Sequence, residues 1–135
     1  MTKFAPLLFA AALGSAAAVS AAPAAPKLPT LEDQVHCALV FGEVTRQQSN
    51  GTPRADRFPA MTKAGREFFV RTGARTLDDK AVTLETIEGY FRTRLSVLQD
   101  SIAKSADPAA ALDREYAICL PQFGAVAPDF TPPPR

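Results

Sequence analysis

The chain contains a single histidine, His36, which is the first residue to consider for chemistry. A neutral imidazole can act as a general base, but it needs a nucleophile and an orienting partner nearby. No second histidine is present, and the residues around His36 lack the Cys-x-x-Cys-His pattern that attaches haem. We therefore interpret His36 as a surface or partly buried helix residue. The sequence predicts no catalytic residue, no metal ligand and no cofactor.

Carboxylates form the second group that could do chemistry, at Asp78-Asp79 and at Glu85 and Glu88. Metal-binding helical bundles place Glu and Glu-x-x-His motifs inward from several helices. Glu85 and Glu88 have that spacing, but no histidine accompanies them, and the apolar residues of the same segment leave both facing outward. We interpret all four carboxylates as solvated surface charges.

The two cysteines, Cys37 and Cys119, are too few for a four-ligand zinc site and too far apart for a Cys-x-x-Cys redox pair. In an oxidising compartment they can pair in only one way. The sequence therefore predicts a disulfide between Cys37 and Cys119. In the chain-entropy account, a closed loop of about 83 residues stabilises the fold by roughly 4–5 kcal/mol.

Residues 1–21 have the composition of a cleavable signal peptide. A basic Lys3 precedes an apolar, Ala-rich segment, and the small residues Val19-Ser20-Ala21 predict cleavage after Ala21. The apolar run is about 16 residues long, shorter than the roughly 20 that span a bilayer. The sequence predicts a periplasmic or secreted protein with a bacterial-type signal peptide and no stable membrane insertion after cleavage.

The predicted mature chain, residues 22–135, carries equal numbers of basic and acidic side chains. Residues 22–29 form a Pro/Ala-rich spacer and residues 124–135 a Pro-rich disordered tail, which leaves a helical domain over 30–123. The neutral balance gives no reason to expect a nucleic acid partner. The segment Arg46–Arg75 holds seven basic and two acidic residues, and it fits either a solvated face or an anion-binding patch.

Apolar residues at helical spacing predict four helices. The first begins after the N-cap Thr30 and ends near Gln48. The second begins near Pro59, a residue suited to a first helical turn, and continues to about Asp78. Glycines in the second helix, at Gly65 and Gly73, would let a neighbouring helix approach closely.

The third helix has the clearest pattern, with Thr83 as its N-cap and an end near Lys104. Its predicted buried seam consists of Leu84, Ile87, Phe91, Leu95, Leu98 and Ile102. The fourth helix begins after the N-cap Asp107, and we expect Pro121 to stop it. These elements predict an all-α fold, a small four-helix bundle stapled by one disulfide.

Some apolar residues lie off the main stripes of their helices. They are Val40, Phe41, Tyr90 and Val97. Any of them left on the surface would form an apolar patch suited to a protein partner or a homodimer. A pocket between helices, lined by Phe68, Phe91 and Leu95, is the other arrangement that such residues would allow.

The sequence favours a non-enzymatic exported protein, either a binding module or a stress-protective module of the cell envelope. The expected architecture is similar to that of the small disulfide-tied helical chaperones of the bacterial periplasm. The alternative is a bundle that binds a small ligand or a lipid. A third hypothesis is an enzyme, such as a small lyase or hydrolase, that uses His36 with carboxylates, although the sequence contains no common catalytic motif.

Overall fold

The part of the chain that the structure describes folds into four α-helices. The structure, a computed structural model, describes residues 29–79 and 82–129, so the predicted signal peptide and residues 22–28 and 130–135 lie outside the described residues. The helices are α1 (Leu31–Ser49), α2 (Thr62–Asp79), α3 (Ile87–Ala103) and α4 (Pro108–Val126). The described ranges contain no strand. The all-α four-helix prediction is confirmed.

Helix α1 lies at the centre of the fold and packs against the other three helices. It begins as predicted, because the Thr30 hydroxyl accepts a hydrogen bond from the Asp33 N–H and the Asp33 carboxylate accepts one from the Thr30 N–H. Val40 and Phe41, which lie off the predicted stripe, are fully buried. Neither therefore contributes to an apolar surface patch.

Helices α1 and α2 run antiparallel and pack closely. A Cβ atom placed on Gly65 would lie 3.1 Å from the Thr45 hydroxyl oxygen, so the predicted close approach at Gly65 is confirmed. The Phe41 ring lies at the centre of an aromatic cluster. Its centroid is 5.0 Å from that of Phe68, 5.8 Å from that of Tyr116 and 5.5 Å from that of Phe123.

Helix α2 begins at Thr62, later than the predicted start near Pro59. The reason is the side-chain amide of Gln48, which donates to the Pro59 carbonyl and accepts from the Met61 N–H. These backbone groups are therefore satisfied by a side chain, and the first helical hydrogen bond is donated by Gly65 to the Met61 carbonyl.

The predicted disulfide joins α1 to α4. Cys37 and Cys119 are bonded and fully buried in the core. The bond connects two residues that are 82 positions apart, so it encloses α2 and α3 within its loop. None of the helices within the described ranges has the length and apolar character needed to cross a membrane.

Pro121 does not stop α4, contrary to the prediction. The helix continues to Val126, and the buried residues Val126 and Ala127 place the end of the folded part beyond the predicted boundary at residue 123. Pro121 and Ala117 are both exposed, so water can solvate the Ala117 carbonyl that lacks its helical donor. Burial of Phe123 and Val126 offsets the cost of the proline.

Helix α3 begins at Ile87, one turn after the predicted N-cap Thr83. The Thr83 N–H donates to the Thr86 hydroxyl, which forms a turn in place of the first helical turn. The predicted seam is only partly buried, because Phe91 and Leu98 are in the core while Leu84 is 74% exposed. The remaining seam residues, Ile87, Leu95 and Ile102, are partly buried.

The disulfide gives the first testable prediction. Replacing Cys37 and Cys119 together by alanine should lower the free energy of unfolding by about 3–5 kcal/mol, because the unfolded chain regains the freedom of a long loop. Urea unfolding measures the change. Dithiothreitol should destabilise the wild type by a similar amount and leave the double variant unaffected. An unchanged urea midpoint after reduction would contradict this prediction.

Candidate binding groove

An apolar groove opens between α3 and the α1–α2 pair, with a volume of about 450 Å³. It is lined by Leu39, Phe69, Gly73, Ile87, Glu88, Phe91, Arg92 and Leu95. Almost all of the lining surface is apolar, and the two charged residues lie at one end of the groove, where Arg92 donates to Glu88. A space of this size and polarity is typical of sites for small apolar ligands.

The groove exists because α2 and α3 both contact α1 but barely touch each other. Phe69 of α2 and Phe91 of α3 meet across it, with ring centroids 4.9 Å apart. One turn after Phe69, Gly73 has no side chain to fill the gap, and a Cβ atom there would meet no atom within 4 Å. The close helix approach predicted at Gly73 is therefore wrong.

The predicted pocket residues are only partly the right ones. Phe91 and Leu95 line the groove, but Phe68 is fully buried against Phe41 and Phe123. The neighbouring Phe69, 38% exposed, lines the groove instead. Helical spacing distinguishes the two rings. Phe68 lies two turns after the buried Met61 and shares its face, whereas Phe69 lies one turn before Gly73 and shares the face that lines the groove.

A smaller cavity of about 160 Å³ adjoins the groove. The two spaces share the lining residues Leu39, Phe69 and Leu95, so they lie end to end along α1. At the far end of the smaller cavity, Glu43 and Arg46 contribute the polar part of the lining. The two spaces are therefore adjacent, and one pair of oppositely charged residues lines each of them.

Glu43 is a buried carboxylate that the sequence did not single out. It accepts hydrogen bonds from Arg46 at 2.8 and 2.5 Å, from Gln47 at 3.0 Å and from Gln99 of α3 at 3.0 Å. Burial acts to raise the pKa of Glu43, but the three hydrogen-bonded neighbours and the charge of Arg46 outweigh it and hold the pKa below its usual value. Glu43 thereby joins α1 to α3 beside the smaller cavity.

His36 lies in a second groove, about 340 Å³ in volume, between α1, α3 and α4. Its Nε2 atom is 2.8 Å from a carboxylate oxygen of Glu115, a partner that the sequence could not reveal. The two side chains are 43% and 34% exposed. Thr93 and Ser101 of α3 line the same groove, and among the described residues no hydroxyl is hydrogen-bonded to the imidazole.

The remaining candidate carboxylates do not come together. Asp78, Asp79, Glu85 and Glu88 are all exposed, and Glu88 pairs with Arg92 on its own helix. Within residues 29–79 and 82–129, no group of three or more His, Cys, Asp or Glu side chains is placed to share a metal ion.

Several cations of the basic segment are paired within the fold. Arg57 donates to Asp113 at 2.6 Å, and Arg71 donates to Glu67 at 2.7 Å and contacts Asp129. Arg46 pairs with Glu43, as described above. The exposed Arg66 lies on the same face of α2 as Phe69 and Gly73. The segment therefore combines paired cations with positive charge beside the groove.

The lowered pKa of Glu43 makes a prediction about acid stability. Its folded-state pKa lies below the ordinary 4.5, so the unfolded chain binds more protons in acid and the contribution of Glu43 is lost as the pH falls through that folded-state pKa. Glu43→Gln should destabilise the protein by about 1–3 kcal/mol at neutral pH. The difference from wild type should shrink in urea titrations as the pH falls below 4.5, the ordinary pKa of the carboxyl group.

The matched control is Glu88→Gln, which removes an exposed carboxylate from an ion pair and should change stability by less than about 0.5 kcal/mol. A Glu43→Gln effect that is the same at every pH would contradict the role assigned to the carboxylate charge.

Comparison of the chain with protein-family models, with curated proteins and with solved structures finds no match in any of the three.

Proposed function

We propose that this chain is a non-enzymatic, exported binding module that holds a small apolar ligand in the groove between α3 and the α1–α2 pair. The observation that carries the proposal is the open, almost wholly apolar space of about 450 Å³. Leaving such a surface exposed to water is unfavourable, so an apolar ligand would gain free energy by covering it.

The distribution of apolar surface favours a small ligand over a protein partner. The large apolar side chains exposed elsewhere are Val70, Leu84, Val97, Ile118 and Leu120. They come from α2, α3, α4 and the turn before α3, so they are spread over the molecule. The groove, in contrast, gathers Leu39, Phe69 and Phe91 into one concave site, which suits a ligand that is enclosed on several sides.

Binding is also favoured over catalysis. The groove contains no nucleophile or general base within its apolar part, and the His36–Glu115 pair lies in a different groove. Export is supported by the composition of residues 1–21 and by the disulfide, because structural disulfides persist mainly in oxidising compartments.

Substitution of Gly73 tests the groove directly. Gly73→Leu places a side chain into the open space, so the affinity for the uncharged fluorescent ligand N-phenyl-1-naphthylamine should fall at least roughly tenfold. Leucine is a better helix former than glycine, so the fold should be kept or stabilised. Fluorescence titration of the full chain measures the affinity, and thermal unfolding checks the fold.

The matched control is Gly89→Leu on the exposed face of α3, where a Cβ atom also meets nothing and no groove is lined. Its affinity should equal that of the wild type. Equal binding by the Gly73→Leu variant would contradict the proposal. So would suppression of aggregation of unfolded proteins without saturable ligand binding, which would favour the stress-protective alternative.

A further inference from the structure

Two glycines inside helices lie beside the apolar space, and packing explains neither. Gly73 of α2 lines the groove and Gly42 of α1 lines the smaller cavity. A Cβ atom at either position would meet no atom within 4 Å, and neither glycine has a positive φ. Gly65, in contrast, sits where two helices touch. Gly89 and Gly124 also meet no atom within 4 Å, so what distinguishes Gly42 and Gly73 is that each lines an apolar space in which a side chain would take up room.

The groove and the adjacent smaller cavity together are called the channel, and each of the two glycines lines one part of it. The groove and the smaller cavity meet at Leu39, Phe69 and Leu95, and each extends beyond them toward one glycine. The side chains at this junction are hydrocarbon, so the channel offers no hydrogen bond to the middle of a ligand. A linear alkyl chain satisfies both the shape and the lack of polar partners.

The two ends of the channel differ in charge. At the end near Gly42, Arg46 lines the cavity, and Arg66 lies three residues before Phe69 on the same face of α2. The Glu43 carboxylate at this end already accepts hydrogen bonds from Arg46, Gln47 and Gln99, so it opposes an anion less than an unpaired carboxylate would.

The opposite end carries an excess of acidic groups. Glu88 lines the groove there, although Arg92 pairs with it. The exposed Asp78 and Asp79 end α2, and the exposed Glu85 precedes α3. A ligand with one anionic head would therefore be attracted to the Gly42 end and repelled from the Glu88 end.

We infer that the ligand of this groove is a fatty acid, with its alkyl chain over Gly42 and Gly73 and its carboxylate beside Arg46 and Arg66. This inference rests on the proposed function and adds the class and orientation of the ligand. Arg46 already donates through Nε and Nη2 to Glu43, so its remaining guanidinium N–H groups and the exposed Arg66 would meet the ligand carboxylate.

The test compares three ligands that share a ten-carbon chain and differ in the head: decanoate, decanol and decyltrimethylammonium. Each is used to displace N-phenyl-1-naphthylamine from the full chain at low ionic strength, below micelle formation. Decanoate should bind most tightly and decyltrimethylammonium least. The difference should shrink in high salt, because the charged groups are exposed.

Arg66→Gln tests the placement of the head without disturbing the Glu43 network. It should weaken decanoate about threefold and leave decanol unchanged, as expected for one exposed charge. Arg114→Gln, on α4 and away from the channel, removes the same charge and should change neither affinity.

Gly42→Leu tests whether the channel is continuous. Decanoate should weaken because the smaller cavity is filled, whereas N-phenyl-1-naphthylamine should still bind in the larger groove. A thermal unfolding midpoint at or above that of the wild type confirms that the variant is folded.

Failure of the proposed function and failure of the fatty acid assignment give different results. If N-phenyl-1-naphthylamine does not bind to the wild type, the proposed function itself fails. If it binds but the three heads displace it equally, or Arg66→Gln has no selective effect, the fatty acid assignment is overturned while the binding groove stands. Displacement by lysophosphatidylglycerol but not by decanoate would also overturn the assignment, because the anion recognised would then be a phosphodiester.

Discussion

The burial of α1 is the constraint on which the rest of the structure depends. Its central residues are buried on several sides of the helix. Each of the other three helices therefore packs against part of α1. Helices α2 and α4 cover most of it through the aromatic cluster around Phe41, and the Cys37–Cys119 bond holds α4 in place. Only one side remains for α3, and there α3 crosses α1 without closing against α2.

The looser attachment of α3 has a physical consequence. Only Phe91 and Leu98 of this helix are fully in the core, and a hydrogen bond from Gln99 to the buried Glu43 adds a polar connection to α1. Further exposed contacts join Arg94 and Tyr90 to Glu32. The groove is therefore a property of how the helices are arranged, and Leu39 and Phe91 of the hydrophobic core form part of its lining. A packed core that carries an open apolar groove is a suitable arrangement for ligand binding.

Features set by local sequence were predictable, whereas those set by tertiary packing were not. The caps at Thr30 and Asp107 and the pairing of two cysteines follow from residue type and position alone. The predictions at Pro121 and Thr83 were wrong for two different reasons. Burial of residues after Pro121 keeps α4 helical, and a hydrogen bond from Thr83 to the Thr86 side chain forms a turn before α3. Predicting the groove would require the rotation of three helices relative to one another, because this rotation determines whether Phe68 or Phe69 lines it. Nothing in the sequence indicates the hydrogen bond from Gln99 to Glu43, because the two residues are 56 positions apart.

The groove between α3 and the α1–α2 pair is proposed to be a binding site, and ligand-induced changes in the signals of its lining residues would show this directly. The most direct measurement is an NMR titration of the labelled protein with N-phenyl-1-naphthylamine, following methyl and aromatic signals. We expect saturable shifts centred on Leu39, Phe69, Phe91 and Leu95, with Ile118 and Leu120 of α4 unaffected. Shifts centred on α4, or no saturable shifts at all, would contradict the proposal.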